Sequence, residues 1–400
     1  MTDWLFFILG LAAVAAPVIT GFAGHELAYR RMRRTVSESK TRSTELIRSW
    51  QQSETLAGAF AISKSFETET RPAAVFAGVE RCYYTPPDFE RITWVPRDIP
   101  TPFVGYAPAP GRHASAVING AQFRYARELE MPRPAGVYRI FLTGASTAFG
   151  AGASSNDTTI GGYLERHLNA ALGNRGRRCE VITAAACAWS STHERILIEN
   201  RLVELDPDLV ISFSGHNDVF WASKGCNSFW CRGMQDDYFL GLMNATLVSN
   251  AAPEFPYDVP GAGGPPTADQ VIERLVRNVT LSHQALALAG ARYMFALQPA
   301  MEVSGKIRTP REERAAASAA SEPWFALMGR YYPEFRKSLA AIEKPGFHFL
   351  DMTSVFDECG DEIDIFIDTA HFGDRGNDLL AHSLCNYILP VISAGKVRAG

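Results

Sequence analysis

Three short stretches of this chain carry residue types that can perform covalent chemistry. "GAST" (144–147) places Ser146 directly after the apolar run "VYRIFLT", "GHND" (215–218) places Asn217 after "DLVISFS", and "DTAH" (368–371) joins Asp368 to His371. A serine hydroxyl is inert until a base takes its proton during attack. His371 is the candidate base. On one helical turn Asp368, three residues earlier, faces the same side. There its carboxylate holds the imidazole in the proton-accepting tautomer. Asn217 offers a neutral N–H₂ donor suited to a developing oxyanion. Gly144 and Gly215, preceding Ser146 and Asn217, are supporting positions, and Gly215 lets backbone approach a ligand.

Other chemistries fail on spelling. "GASTAFGAG" contains neither G-x-x-x-x-G-K-[ST] nor G-x-G-x-x-G, so it holds no phosphate-binding lysine and no dinucleotide turn. A nucleophile elbow of the form G-x-S-x-G fails at Ala148. Among the other histidines, His25 and His113 lie outside the strand–helix series, His167 and His283 fall in helical patterns, and His348 falls in a strand. D-x-x-H on its own recurs by chance, and "GHND" on its own also fits a Gly-Asn turn in which Asp218 caps a helix. The weight lies in the combination.

The elements that must position these residues begin at about residue 136. Strand patterns at 137–143, 179–186, 208–214, 291–298 and 347–352 alternate with helical patterns at 158–172, 191–205, 268–290, 311–342 and 373–392. In the first helix Ile160, Leu164, Leu168 and Leu172 share one face. Short apolar strands alternating with helices predict a parallel sheet covered on both faces, with ligands bound beyond the carboxyl ends of its strands. Ser146 and Asn217 both sit beyond such ends.

Together the blocks resemble the SGNH hydrolase superfamily, the GDSL-type esterases: a serine block after the first strand, a glycine block after the second, G-x-N-D after the third and D-x-x-H near the C-terminus. The resemblance covers about residues 136–395. The stretch "YAPAP…VINGAQFR" (106–124) is similar to the preamble of some membrane-anchored bacterial members. The resemblance implies a flavodoxin-like three-layer α/β/α fold with a mainly parallel sheet. It implies a catalytic Ser146, His371 and Asp368, and an oxyanion hole made by the backbone N–H of Ser146, that of Ala188 and Asn217. It calls for no metal and no cofactor. The implied partner is an ester-bearing small molecule, lipid or glycan. Transfer of an acyl group to a sugar hydroxyl is the alternative activity, and a catalytically weak carbohydrate- or lipid-binding module the alternative of another class. Two positions depart from the pattern. Ala145 replaces the aspartate of G-D-S, which removes no catalytic group. Ala188, in "VITAAACAWSST", replaces the glycine of the second block; it keeps the N–H but has narrower backbone freedom, so a displaced oxyanion hole is expected.

The 400 residues carry a net charge of −4 and no basic stripe interleaved with aromatics, which argues against nucleic acid as a partner. Trp4 to Ala23 is an uncharged run of 20 residues. As a helix it spans about 30 Å, the thickness of a bilayer core, so one N-terminal transmembrane helix is expected. A cleaved signal peptide begins with positive charge and has a shorter apolar core, whereas this chain begins "MTD". Residues 24–69 read as a juxtamembrane stalk and 70–135 as a Pro- and aromatic-rich extension. Residues 136–395 form the hydrolase-like domain, interrupted by an aromatic insertion at 219–266 placed to wall the acyl pocket. Arg30, Arg31, Arg33 and Arg34 follow the span, which favours a cytoplasmic body. The anchored members that the chain resembles look like envelope enzymes, which would place the domain on the extracytoplasmic face. Seven cysteines without a C-x-x-C pair point to no zinc site, and Cys226 and Cys231 within the insertion would report the compartment by their redox state.

Overall fold

Alternating strand and helix signals resolve into five parallel strands: β5 (Val137–Gly144), β6 (Arg178–Thr183), β7 (Leu209–Ser214), β8 (Arg292–Leu297) and β9 (Phe347–Asp351). Their order across the sheet is β6-β5-β7-β8-β9. In this computed structural model the described residues are 98–113, 115–173, 178–223 and 266–394, with a few isolated positions between 244 and 253. The expected span at Trp4–Ala23, the stalk at 24–69, Cys226, Cys231 and most of the 219–266 insertion lie outside them. Among the described residues no helix is long and apolar enough to cross a membrane.

Successive residues of a strand face opposite sides of a sheet, and here both sides are apolar. On one face Tyr138, Ile140 and Leu142 of β5 pack with helix α2 (Ile160–Leu172) and helix α8 (Asp374–Ala394). On the other, Phe141, Val210 and Phe295 pack with α3 (Ser191–Asn200), α5 (Ala268–Leu288) and α7 (Pro323–Ala340). The result is three layers with the flavodoxin-like strand order. The strand order reverses at β5, between β6 and β7, and ligand crevices form at such switch points. Ile160, Leu164, Leu168 and Leu172 are all buried, as their spacing predicts, each fully buried apolar side chain contributing about 1.5–3 kcal/mol.

Several boundaries shift from the sequence pattern, each for a local reason. The helical stretch expected over 311–342 is two helices, α6 (Pro310–Ala319) and α7, each opened by a proline in its first turn; proline lacks the N–H that is unsatisfied there anyway. The helix expected over 191–205 stops at Asn200 and continues as a 3-10 turn, Leu202–Leu205, that Asp206 ends at φ 52°. Strand β6 ends at Thr183, leaving 184–190 as an irregular segment toward α3. Val219–Ser223 form the rest of helix α4 (His216–Ser223).

Ahead of the sheet, β1 (Asp98–Thr101) pairs antiparallel with β2 (Gly105–Pro108), and β3 (Gly111–His113) with β4 (Ala116–Ile118). Arg124 then bridges to Thr183 on the edge strand β6. Its buried guanidinium donates to the carbonyls of Phe149 (3.1 Å), Gly150 (2.6 Å) and Ser155 (3.3 Å). The extension is thus tied to the turn that follows Ser146.

Candidate active site

Ser146 is the first residue of a one-turn helix, α1 (Ser146–Phe149), that starts where β5 ends. Gly144 makes this exit possible. Its φ is +150°, and a Cβ there would lie 2.4 Å from the Phe213 carbonyl oxygen and 2.6 Å from the Ala148 Cβ. The strand can therefore run flush against β7 and turn at once. Ala145, at the N-cap, supplies no side-chain cap, and Gly150 closes the turn in the left-handed region.

Across the carboxyl edge of the sheet, Ser146 Oγ lies 2.7 Å from His371 Nε2, and His371 Nδ1 lies 2.6 Å from Asp368 Oδ2. All three expected residues meet. Their local geometry corrects the expectation of a helical turn at 368–371, because the segment is a bend outside any helix. Asp368 causes the bend: its Oδ1 accepts the backbone N–H of Ala370 at 2.8 Å and of His371 at 2.7 Å. A short acidic side chain that binds its own downstream amides competes with helix.

The same contacts set the charges. Burial opposes ionisation of Asp368, but the His371 charge, its hydrogen bond and the two amides together hold the carboxyl well below the usual carboxylate range. Burial lowers the His371 imidazole, and Asp368 overrides it, raising the pKa above the ordinary value of 6.5. The carboxylate accepts hydrogen at Nδ1, which leaves Nε2 as the proton acceptor toward Ser146.

Asn217 is the second residue of α4, just past β7. Its Nδ2 donates to the Trp189 carbonyl at 2.7 Å, using one of two hydrogens. His216 Nδ1 lies 3.3 Å from Asn217 Oδ1, which can only accept, so the two contacts agree on one amide orientation. Burial pushes the His216 imidazole down to about 4, and it is neutral at ordinary pH. Asp218 does not cap its own helix, the alternative open from the sequence. It accepts from Ser191 N at 3.2 Å and from Ser191 Oγ at 2.5 Å, tying the start of α4 to the start of α3.

Ala188 has φ +64°, the left-handed region glycine favours. The substitution leaves the backbone in a glycine-like conformation, at a cost of about 1–2 kcal/mol for a residue with a Cβ. Among the described residues, neither the Ser146 N–H nor the Ala188 N–H donates to a backbone carbonyl. Gly215, with φ +119°, would bring a Cβ within 2.7 Å of Leu297 Cδ1. Among the described residues no group of His, Cys, Asp and Glu is arranged to hold a metal ion.

Sequence reasoning missed His216, Ser191, Tyr106, Trp221 and Arg124. His216 carried a readable signal as a polar residue inside the "GHND" block, and Tyr106 and Arg124 stand at the two ends of the "YAPAP…VINGAQFR" stretch, which gives no sign of the contacts they make.

Fold and site together define a flavodoxin-like α/β domain with serine, histidine and aspartate in continuous contact at its carboxyl edge. No family model matches the chain, and no curated protein matches it. Solved structures similar to it include the acetyl xylan esterase AlAXEase, 15% identical over 62% of this chain and 99% of that one, with a TM-score of 0.38. The acetylxylan esterase Axe2 from Geobacillus stearothermophilus is 15% identical over 63% of this chain and 94% of that one, TM-score 0.38. TesA is 13% identical over 63% of this chain and 99% of that one, TM-score 0.36.

Proposed function

We propose that this chain is a serine ester hydrolase of the SGNH type that works through an acyl-serine intermediate. The observation that carries the reading is the continuous contact from Ser146 Oγ through His371 to Asp368. Ser146 Oγ attacks the ester carbonyl carbon while its proton passes to His371 Nε2. The oxyanion is met by the N–H groups of Ser146 and Ala188 and by the second Asn217 hydrogen. Collapse expels the alcohol, which takes the proton from His371. Water, deprotonated by the same imidazole, then releases the acid. The ester belongs to a glycan, lipid or small molecule.

The direct test is burst release of p-nitrophenol from a chromogenic acetate, followed by steady turnover. In Asn217→Ala, kcat is expected to fall by about 10²–10³ with little change in KM, because the donor acts on the transition state. A change confined to KM would make Asn217 a substrate contact instead. Addition of sugar acceptors to the same assay separates hydrolysis from acyl transfer, since transfer yields an acylated sugar at the expense of free acid.

The anchor at Trp4–Ala23 and a cytoplasmic body are part of this proposal, supported by the arginines at 30, 31, 33 and 34. Rapid alkylation of intact cells followed by non-reducing peptide mapping is expected to find Cys226 and Cys231 as free thiols. A disulfide between them formed in vivo would place the domain in an oxidising compartment.

A further inference from the structure

Three consecutive carbonyls around Ala188 are each taken by a side chain, one from β2 and two from α4. Tyr106 on β2 donates its hydroxyl to Cys187 O at 2.9 Å, Trp221 on α4 donates Nε1–H to Ala188 O at 2.9 Å, and Asn217 holds Trp189 O at 2.7 Å. The grip from β2 is double, because the Tyr106 carbonyl accepts Trp189 Nε1–H at 3.2 Å. Tyr106 is fully buried, and its ring meets Trp189 edge-on with centroids 6.3 Å apart.

A peptide unit is a rigid plane, so the Cys187 carbonyl and the Ala188 N–H belong to one body and point in opposite directions. Whatever fixes that carbonyl aims that N–H. Ala188 at φ +64° also needs such fixing, since an unrestrained alanine relaxes toward negative φ and rotates the plane away. A left-handed non-glycine residue persists only where its surroundings over-determine it.

We propose that Tyr106, in the N-terminal extension rather than the strand–helix domain, is a positioning residue of the oxyanion hole. Its hydroxyl fixes the peptide plane whose N–H is the Ala188 donor, and Trp221 fixes the next plane. The inference rests on the reading of Ala188 N–H as an oxyanion donor. It makes the extension a working part of the site rather than a spacer, and it explains how alanine stands where glycine is the natural choice.

The test is steady-state hydrolysis of p-nitrophenyl acetate by the full chain, with active sites counted by a fluorophosphonate. Tyr106→Phe keeps the ring and removes the hydrogen bond to Cys187 O. Its kcat is expected to fall about tenfold, less than the roughly 10²–10³ for deleting a donor, with KM within about twofold. Adding Ala188→Gly to Tyr106→Phe is expected to recover most of the loss, because glycine holds positive φ without restraint. A role in packing alone predicts lowered thermal stability with no such recovery. Unchanged kcat in Tyr106→Phe, or a loss that Ala188→Gly leaves in place, overturns the proposal. Should Tyr106→Phe fail to fold, Trp221→Phe with and without Ala188→Gly poses the same question at the adjoining plane, with the same two outcomes. If Ser146→Ala turns over as fast as the wild type, the esterase reading has failed; if only Ser146→Ala is impaired, the positioning role has failed.

Discussion

Ser146→Ala is expected to lower kcat for ester hydrolysis by about 10⁶, the loss seen when a triad loses its nucleophile. The variant should remain folded, because the site does little to hold the domain together at this position. Ser146 opens a one-turn helix whose exit is fixed by Gly144 and whose end is fixed by Gly150 and Arg124. Alanine fits the same backbone and removes only the hydroxyl that meets His371 Nε2. The residual rate would come from the oxyanion donors and the imidazole acting on water. A fluorophosphonate should label the wild type and leave the variant unlabelled, and the thermal midpoint should move little. Full turnover in a preparation free of contaminating esterase would end the assignment of Ser146 as nucleophile.

How much of this was readable in the chain depends on the distance over which each contact acts. The strand and helix pattern was local, and the five strands and most helices follow it. Ser146, Asn217, Asp368 and His371 were also legible, because their side-chain types mark their chemistry wherever the chain brings them. Their meeting was not a local property: Ser146 and His371 are 225 residues apart. The bend at Asp368 was misread because a three-residue spacing is the same in a helix and in a turn closed by an aspartate. Only the competition of Oδ1 for the Ala370 and His371 amides decides between them.

The restraints on Ala188 lay further out of reach. Tyr106 acts across 81 residues and Trp221 across 33, and neither sits in a pattern that names a partner. In sequence, Ala188 looked like a defect in a glycine position. In three dimensions it is a strained residue with three neighbouring carbonyls engaged, so the loss of glycine's freedom is offset by contacts that only the fold supplies.

Asp368→Asn is expected to lower kcat by about 10⁴ while leaving KM nearly unchanged, and to move the pH profile as well. An asparagine oxygen can still accept the Ala370 and His371 amides, so the bend survives. The group facing His371 Nδ1 changes from an acceptor to a donor wherever the amide turns its NH₂ inward. That favours the tautomer with hydrogen on Nε2, which cannot take the Ser146 proton. In the wild type, kcat/KM should rise with pH through an apparent pKa above the histidine value of 6.5, because Asp368 raises His371. Without the carboxylate charge, the residual activity should titrate at lower pH. Stability carries its own signature. A depressed Asp368 stabilises the fold above its unfolded pKa of about 3.9 and loses that contribution as pH falls through the folded value. A raised His371 stabilises it below about 6.5 and loses that contribution as pH rises through the folded value. The destabilisation of Asp368→Asn should therefore be greatest between about pH 4 and 6.5 and smaller on either side. Thermal melts across that range, paired with pH–rate profiles of both proteins, measure the two effects separately. A variant whose activity and pH limb match the wild type would mean that another group orients His371.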